Sequence, residues 1–265
     1  MIDALTLLVL DTETTGLDVE NDRVVQLGAV YWKAGERLGK RRSMLVNPGI
    51  PIPQGAEKVH GIGDAQVASA PDFAQVGARL AQHLADGPDG SGPPALCGYN
   101  AVSYDIPLLN AEFARHGLSV RIDPGQVLDP IVFVRWHHRG WRFRKLEVVA
   151  QKYGFTLRDA HSAAADAEAT AVVMSAMMSA GLIPADWDEA LQTQHRLQQS
   201  LDEEWEQYGY ALYRDRSDES LRLGFGKHTG CLLDEVDPQY LRFCYDKFAD
   251  LTPDTREQFS RRLDV

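Results

Sequence analysis

The chain has 265 residues, of which 44% are hydrophobic and 25% are charged, a balance typical of a folded protein with its own core. Its length predicts one large domain, or one domain with a small addition. No run approaches the roughly 18 apolar residues of a membrane-spanning helix, and no basic segment precedes the apolar residues 5–10, so we expect neither a membrane span nor a signal peptide. The cysteines, Cys97, Cys231 and Cys244, exclude a disulfide framework and form no zinc pattern, which predicts a reducing, cytoplasmic setting.

The formal net charge of −11 weighs against a nucleic-acid partner, because phosphate binding depends on lysine and arginine. The acids are unevenly distributed. Residues 182–222 carry ten acids and four bases, whereas residues 1–181 carry 20 acids and 17 bases. Two bound divalent cations would change the charge of that first segment from −3 to +1. The acidity therefore does not exclude a phosphodiester substrate.

The hydrophobic pattern of the first 181 residues predicts strands followed by helices, which indicates an α/β layered fold. Residues 4–10 form a nearly continuous apolar run, typical of a central strand buried on both faces. Further strands are expected at 24–32, 41–46, 95–99 and 126–129, and helices at 72–85, 106–116, 145–153 and 162–180. Beyond Gly181, residues 186–212 are expected to form an acidic helix.

Two carboxylates stand close together in Asp11-Thr12-Glu13-Thr14-Thr15-Gly16, at the end of the first predicted strand. Residues i and i+2 of a strand project to the same face, where unpaired carboxylates repel each other. Such a pair normally requires a cation, and hard oxygen ligands suit Mg²⁺ or Mn²⁺. The alternative is a strand exit rich in Asp and Thr that caps the next turn.

Two later motifs supply further candidates. Asp105 ends the segment Asn100-Ala-Val-Ser-Tyr-Asp just past a predicted strand, where it could equally be the N-cap of a helix with Pro107 in its first turn. His161 and Asp166 stand in His-Ser-Ala-Ala-Ala-Asp at the start of a predicted helix, where a histidine alone is usually a surface or hydrogen-bonding residue. In this order and spacing, the three motifs together are much harder to explain by chance.

Together these motifs resemble the DEDD superfamily of exonucleases, in the histidine subclass of its proofreading, epsilon-like group. The resemblance covers roughly residues 5–180 and includes Val59-His60-Gly61-Ile62 and Leu128-Asp129. Ser162 stands where the tyrosine subclass has its tyrosine, which favours the histidine subclass. Gln26 is a departure, because relatives often have glutamate on the second strand.

The resemblance implies a ribonuclease-H-like α/β fold, with a mixed sheet flanked by helices, and release of 5′-mononucleotides from the 3′ end of a strand. It implies that Asp11, Glu13, Asp105 and Asp166 hold two divalent cations, Mg²⁺ or Mn²⁺. His161 is then the general base, which predicts activity that rises between about pH 6 and 8. The residues implied to bind the terminal nucleotide are Thr14, Thr15, Gly16, His60 and Asn100.

The segment 135–145 contains five bases, three large aromatic residues and no acid. This composition predicts a platform for a single-stranded nucleic acid, in which Arg139 and Arg142 hold phosphates and Trp141 stacks on a base. The alternative is a surface connection whose aromatic side chains cover the core beneath it.

Residues 223–265 are expected to form a compact module with a glycine turn and one or two helices. Phe225-Gly226-Lys227-His228-Thr229-Gly230 and the helix start Asp237-Pro238 resemble the C-terminal module of the exonuclease X family. This module is expected to contact a strand, to contact a replication or repair protein, or to be a small solvated unit without either role.

The sequence thus predicts an exonuclease domain at residues 1–181, an acidic helical spacer at 182–222 and a small C-terminal module at 223–265. The expected substrate is a single-stranded or frayed DNA 3′ end, because of the exonuclease X-like tail. One alternative is the same chemistry on RNA or short oligonucleotides. Another is a non-catalytic module that binds nucleic-acid ends or a polymerase, but such a module would usually have lost a carboxylate or the histidine.

Overall fold

The computed structural model describes residues 1–157 and 162–263. By its contacts the chain divides into two compact units. The first comprises Met1–Ile131 with Lys145–Gln194, and the second comprises Val132–Arg144 with His195–Val265. The division at residues 181 and 222 stays a prediction.

The described strands are β1 (Leu7–Thr14), β2 (Val24–Lys33), β3 (Glu36–Leu45), β4 (Ala95–Cys97), β5 (Val127–Leu128), β6 (Leu212–Arg214) and β7 (Leu221–Leu223). The described helices are α1 (Gln54–His60), α2 (Asp64–Val67), α3 (Phe73–Asp86), α4 (Asp105–Arg115), α5 (Pro130–His137), α6 (Leu146–Lys152), α7 (Ala163–Ser179), α8 (Trp187–Tyr208), α9 (Pro238–Lys247) and α10 (Pro253–Leu263). Each strand and helix predicted for residues 1–181 is present, although several bounds differ. The first half of β3 escaped prediction because it is exposed and mostly charged, and because it contains a glycine that is typical of a turn.

Within the described part of the chain, the first unit contains a five-stranded mixed sheet of order β3-β2-β1-β4-β5. β1 lies at its centre, antiparallel to β2 and parallel to β4. β2 and β3 form a hairpin whose turn residues, Ala34 and Gly35, both have positive φ, as the tight turn between twisted strands requires. Helices flank this sheet, which confirms the predicted ribonuclease-H-like α/β fold.

Helix α7 approaches the sheet closely because both surfaces are made of small residues. Ala163, Ala164 and Ala165 begin the helix and are buried. A Cβ atom added to Gly28 of β2 would lie 2.0 Å from the carbonyl carbon of Ala163, so only glycine fits there. The side-chain oxygen of Gln26 accepts a hydrogen bond of 2.9 Å from the Ala163 N–H. This contact fixes the start of α7 on β2.

Helix α4 is anchored by its apolar residues. Ile106, Leu109 and Phe113 are buried, and the Phe113 ring packs edge-on against that of Phe73 at a centroid distance of 5.6 Å. The same core cluster includes residues of β1 and β2. The first residue of α4, Asp105, is thereby held at a fixed place beside β1.

The second unit has its own apolar core, formed by residues of the β6–β7 hairpin, α9, α10 and the end of α8. Helix α9 begins as predicted, because the Asp237 side chain accepts a hydrogen bond of 2.9 Å from the Gln239 N–H. Leu241 and Cys244 are buried, whereas Phe243 is exposed. Side chains two positions apart on a helix differ in direction by about 200°, so Phe243 faces away from Leu241.

Among the residues that the structure describes, no helix combines the length and hydropathy needed to cross a bilayer.

Candidate active site

Strand β1 positions the first two carboxylates. Asp11 and Glu13 lie inside this strand, which continues to Thr14 rather than ending before Asp11. They are two residues apart and therefore share a face of the sheet. Their cross-strand partners on β2 are Gly28 and Gln26, the two residues that also receive the start of α7. The sheet thus brings the carboxylates and the start of that helix to one place.

Asp166 lies in the first turn of α7 and completes a carboxylate cluster with β1. One oxygen from each of Asp11, Glu13 and Asp166 lies within 4.8 Å of the others. Three hard oxygen donors at this separation form an arrangement that can hold a divalent cation.

Asp105 is buried beside this cluster. Its carboxylate accepts hydrogen bonds from the backbone N–H of Thr12, at 3.0 Å, and from the Thr12 hydroxyl, at 2.6 Å. The N-cap of α4 is Tyr104, so the alternative interpretation of Asp105 as a helix cap is wrong. Asp105 is instead directed at β1, next to Asp11 and Glu13.

The electrostatics of the four carboxylates favour a bound cation. Burial raises the pKa of Asp11 well above its usual range, and the charges of Asp105, Asp166 and Glu13 raise it further. Burial, then Asp166 and Asp105, raise the pKa of Glu13 to about 7. Burial also raises the pKa of Asp105, against the lowering effect of the Thr12 hydrogen bonds. A divalent cation would relieve this repulsion, so the residues fit such a group.

The loop after β1 is fixed by side chains from two directions. The Tyr104 hydroxyl lies 2.7 Å from the Thr14 hydroxyl and donates a hydrogen bond to the Gly16 carbonyl. The Thr15 hydroxyl donates to the Asp22 carboxylate at 2.7 Å. A Cβ atom at Gly16 would lie 2.5 Å from that carboxylate, which explains the glycine.

Sequence reasoning missed Tyr104. Burial raises its pKa to about 12, so the hydroxyl keeps its proton. The available signal was its position immediately before Asp105.

His60 contacts the same loop. Its Nδ1 atom accepts a hydrogen bond of 3.0 Å from the Ile62 N–H, so its Nε2 atom carries the proton that faces the Thr14 carbonyl at 3.2 Å. Asn100 has a positive φ of 60°, and its backbone N–H donates to Asp129 at 2.8 Å. Both residues therefore have a defined place in the first unit.

Comparison with known proteins identifies the family of this chain. A family model described as "Exonuclease" matches residues 8–174. The chain belongs to this exonuclease family. The match spans the β1 carboxylates, Asp105 and Asp166, and it confirms the predicted resemblance to DEDD-type 3′→5′ exonucleases.

Curated relatives match the exonuclease region of this chain. It is 34% identical over 174 residues to a DNA polymerase III subunit epsilon-like protein of Rhodobacter capsulatus, covering 64% of this chain and 23% of that protein. It is 32% identical over 170 residues to the PolC-type DNA polymerase III of Lacticaseibacillus paracasei, covering 64% of this chain and 11% of that protein. This chain therefore spans a quarter or less of the length of these two relatives.

Solved structures share the fold of this chain. Escherichia coli exonuclease I in complex with a dT13 oligonucleotide has a TM-score of 0.55 at 21% identity, over 66% of this chain and 41% of that one. Another structure of exonuclease I has a TM-score of 0.59 at 17% identity, over 98% of this chain and 68% of that one.

The residues predicted to form a single-strand platform belong to a different unit. Arg139, Trp141 and Arg142 belong to the second unit, whereas the carboxylates belong to the first. Arg139 is buried and pairs with Glu204. Trp141 stacks on His138 at a centroid distance of 3.9 Å, and the Arg142 guanidinium lies 5.0 Å from the centre of the Phe143 ring. His161 lies outside the described residues.

Proposed function

We propose that this chain is a 3′→5′ exonuclease that hydrolyses the terminal phosphodiester bond of a DNA strand and releases a 5′-mononucleotide. The observation that carries the proposal is the approach of the Asp11, Glu13 and Asp166 oxygens to within 4.8 Å of one another. The choice of DNA is supported by the relatives, which are named as parts or types of DNA polymerase III, and by the exonuclease I structure with dT13.

The carboxylates would hold two divalent cations, Mg²⁺ or Mn²⁺, with Asp11, Glu13 and Asp166 as ligands of the first and Asp105 supporting the second. Two such cations stabilise negative charge on the attacking and leaving oxygens of a phosphodiester. Asp105 can serve here without rearrangement, because Thr12 already fixes its carboxylate by two hydrogen bonds. Burial and the repulsion between the carboxylates raise the pKa of Asp11 and Glu13, and a bound cation would offset both effects, which supports this assignment.

The loop after β1 would bind the terminal nucleotide through Thr14, Thr15 and Gly16. Tyr104 and Asp22 hold this loop in one conformation, so it can receive the nucleotide without first being ordered. His60 supports the loop through the Thr14 carbonyl, and Asn100 is held beside the start of α4 by Asp129.

His161 would be the general base that removes a proton from the attacking water. The sequence supports this role through its position five residues before Asp166. The histidine must be neutral to accept the proton, so activity should rise as the pH rises through its pKa.

Other parts of the chain would contact the strand or a partner. We propose that Arg139, Trp141 and Arg142 belong to a surface for a single-stranded or frayed end, and that the C-terminal module at 223–265 contacts nucleic acid or a replication or repair protein. The basic and aromatic composition of segment 135–145 supports the first of these roles.

The function can be tested by incubating 5′-labelled single-stranded DNA, duplex DNA and RNA with the protein in Mg²⁺, Mn²⁺ or chelator. We expect a ladder of DNA products that shortens from the 3′ end only with metal. Asp11→Asn should abolish it, whereas Asp89→Asn, which changes an exposed aspartate, should not. Equal activity in chelator, or in Asp11→Asn, would contradict the proposal. Degradation of RNA alone would reassign the substrate.

A further inference from the structure

The second unit contains a cleft of about 480 Å³ whose walls combine arginines with aromatic residues. This volume lies within the range of about 300–1,000 Å³ that is usual for sites that bind small organic groups. Its lining includes Arg135, Arg139, Arg144, Glu204 and Trp205, and we call this site the arginine cleft.

Arg139 is the central residue of the arginine cleft. It is only 8% exposed, and its Nη1 atom donates to the Glu204 carboxylate. Its Nε and Nη2 atoms are buried and find no hydrogen-bond partner among the described residues. These two N–H groups lie on one edge of the guanidinium fork, the edge that matches two oxygens of one phosphate or carboxylate. Buried donors that lack an acceptor are costly, so this edge is suited to an anionic ligand.

Glu204 positions Arg139 and is already neutralised. One of its oxygens accepts from Arg139 and from the Arg214 backbone N–H at 3.2 Å, and the other accepts from Arg216 at 3.1 Å. Both carboxylate oxygens are therefore occupied. Arg135 and Arg144 add further positive charge to the lining, against the single charge of Asp202. The arginine cleft thus has a surplus of positive charge.

The backbone around Arg139 is fixed by a neighbouring arginine. Arg144 donates from Nε to the His138 carbonyl at 3.2 Å and from Nη2 to the Arg139 carbonyl. On the other side, the guanidinium carbons of Arg139 and Arg216 lie 5.1 and 4.4 Å from the centre of the Trp136 ring. The position of Arg139 is therefore largely set before a ligand binds, and the side chain needs to move only enough to expose its buried Nε–Nη2 edge.

An aromatic residue of the arginine cleft favours a nucleic acid over other anionic ligands. Trp205 lines the cleft and is 61% exposed, although a large aromatic side chain is normally buried. An exposed indole beside arginines suits an unpaired nucleobase next to its phosphate. A peptide carboxylate would use the arginine fork but would leave this ring without a function.

We propose that the arginine cleft binds single-stranded nucleic acid, with Arg139 holding one backbone phosphate through Nε and Nη2 and Trp205 stacking on the adjoining base. The choice of nucleic acid as ligand rests on the proposed function. The site differs from the carboxylate cluster, which belongs to the first unit.

The test measures the fluorescence anisotropy of labelled dT20 with the full chain in chelator, where the strand is not hydrolysed and the four carboxylates repel it. Trp205→Ala should weaken binding at least fivefold, because stacking on one base is worth about 1–3 kcal/mol. Arg139→Gln should weaken binding about tenfold or more and reduce the slope of log K against log salt by about 0.7, the value for one single-strand phosphate. The matched controls are Leu38→Ala and Arg196→Gln, which change an exposed hydrophobic residue and an exposed arginine outside every proposed binding surface.

Loss of affinity in both test variants, with neither control affected, would support the proposal. If circular dichroism shows that Arg139→Gln is unfolded, the affinity of Trp205→Ala, which changes an exposed side chain, tests the proposal by itself. Wild-type affinity in both test variants would overturn the proposal. Displacement of the strand by oligoglutamate as readily as by unlabelled dT10 would also overturn it, because the site would then recognise only charge.

Hydrolysis of the same strand by the unmutated protein in Mn²⁺ measures the proposed function separately. A protein that binds through the arginine cleft but leaves the strand intact would refute the exonuclease activity and support the cleft. A protein that degrades the strand, but whose Trp205→Ala and Arg139→Gln variants bind normally, would refute the cleft alone.

Discussion

Replacing Glu13 by glutamine removes one negative charge from a cluster of four while keeping the shape of the side chain. Burial and the charges of Asp166 and Asp105 raise the pKa of Glu13 from 4.5 to about 7, so ionised Glu13 is less stable in the folded protein than in the unfolded chain. We therefore expect Glu13→Gln to make the metal-free protein more stable at neutral pH, although it should abolish hydrolysis.

The magnitude follows from the pKa. A displacement from 4.5 to about 7, at about 1.36 kcal/mol per pKa unit, corresponds to about 3 kcal/mol. Below pH 4.5 Glu13 is protonated in both states and the penalty is absent. The folded state holds the proton more tightly than the unfolded chain does. The free energy of unfolding of the wild type therefore falls as the pH rises from 4.5 to about 7, and the full penalty applies above that pH. For a unit of this size, 3 kcal/mol changes the melting temperature by roughly 6–12 °C.

Thermal unfolding in chelator at pH 5 and pH 8 measures this effect. The difference between Glu13→Gln and wild type should be small at pH 5 and near its full value at pH 8. The matched control is Glu36→Gln, an exposed glutamate of β3, which should melt like the wild type at both values. Saturating Mg²⁺ or Mn²⁺ should stabilise the wild type more than Glu13→Gln. Equal melting temperatures in chelator at pH 8, or equal stabilisation by metal, would refute the reasoning.

Three further substitutions test other contacts. Tyr104→Phe should keep the fold but raise KM for a DNA strand about 2- to 10-fold, since one hydrogen bond contributes about 0.5–1.5 kcal/mol; an unchanged KM would mean that the hydroxyl does not hold the loop after β1. Gly28→Ala should lower the free energy of unfolding in urea by about 1–3 kcal/mol, because the new methyl group would overlap the backbone of Ala163. Gly55→Ala, where an added Cβ meets nothing within 4 Å, is its control and should cost little. His161→Gln should reduce kcat by about 10²–10⁴ and remove the rise in activity between pH 6 and 8; a wild-type profile that is flat in this range would exclude His161 as the base.

The first unit was largely predictable because its patterns are local. The apolar run before Asp11 indicates a buried central strand, and the small residues before Asp166 indicate a helix that can pack closely on it. The spacing of Asp11 and Glu13 fixes their common face, since side chains alternate along a strand. Only the approach of Asp166 needed the structure, because it depends on Gly28 lying under the helix.

Other features were not predictable, because their signals are weak or non-local. Helix α5 is apolar over most of its length, so its sequence has no helical period to distinguish it from a strand. The β6–β7 hairpin lies in a charged segment that was expected to be a spacer. The roles of Tyr104 and Arg139 depend on partners far along the chain, at Gly16 and Glu204, which spacing within a motif cannot reveal.

The contact of Gly28 with Ala163 also limits how this protein can change. At that point the backbone of α7 contacts the backbone of β2 directly. No side chain lies between them, so no substitution by a slightly smaller or larger residue can change the distance between Asp166 and Asp11 in small steps. Variation of substrate preference must then arise in the loops and in the second unit, while the distance between these carboxylates stays constant. Laboratory evolution toward a new polymer should accordingly accumulate changes outside β1, β2 and the start of α7.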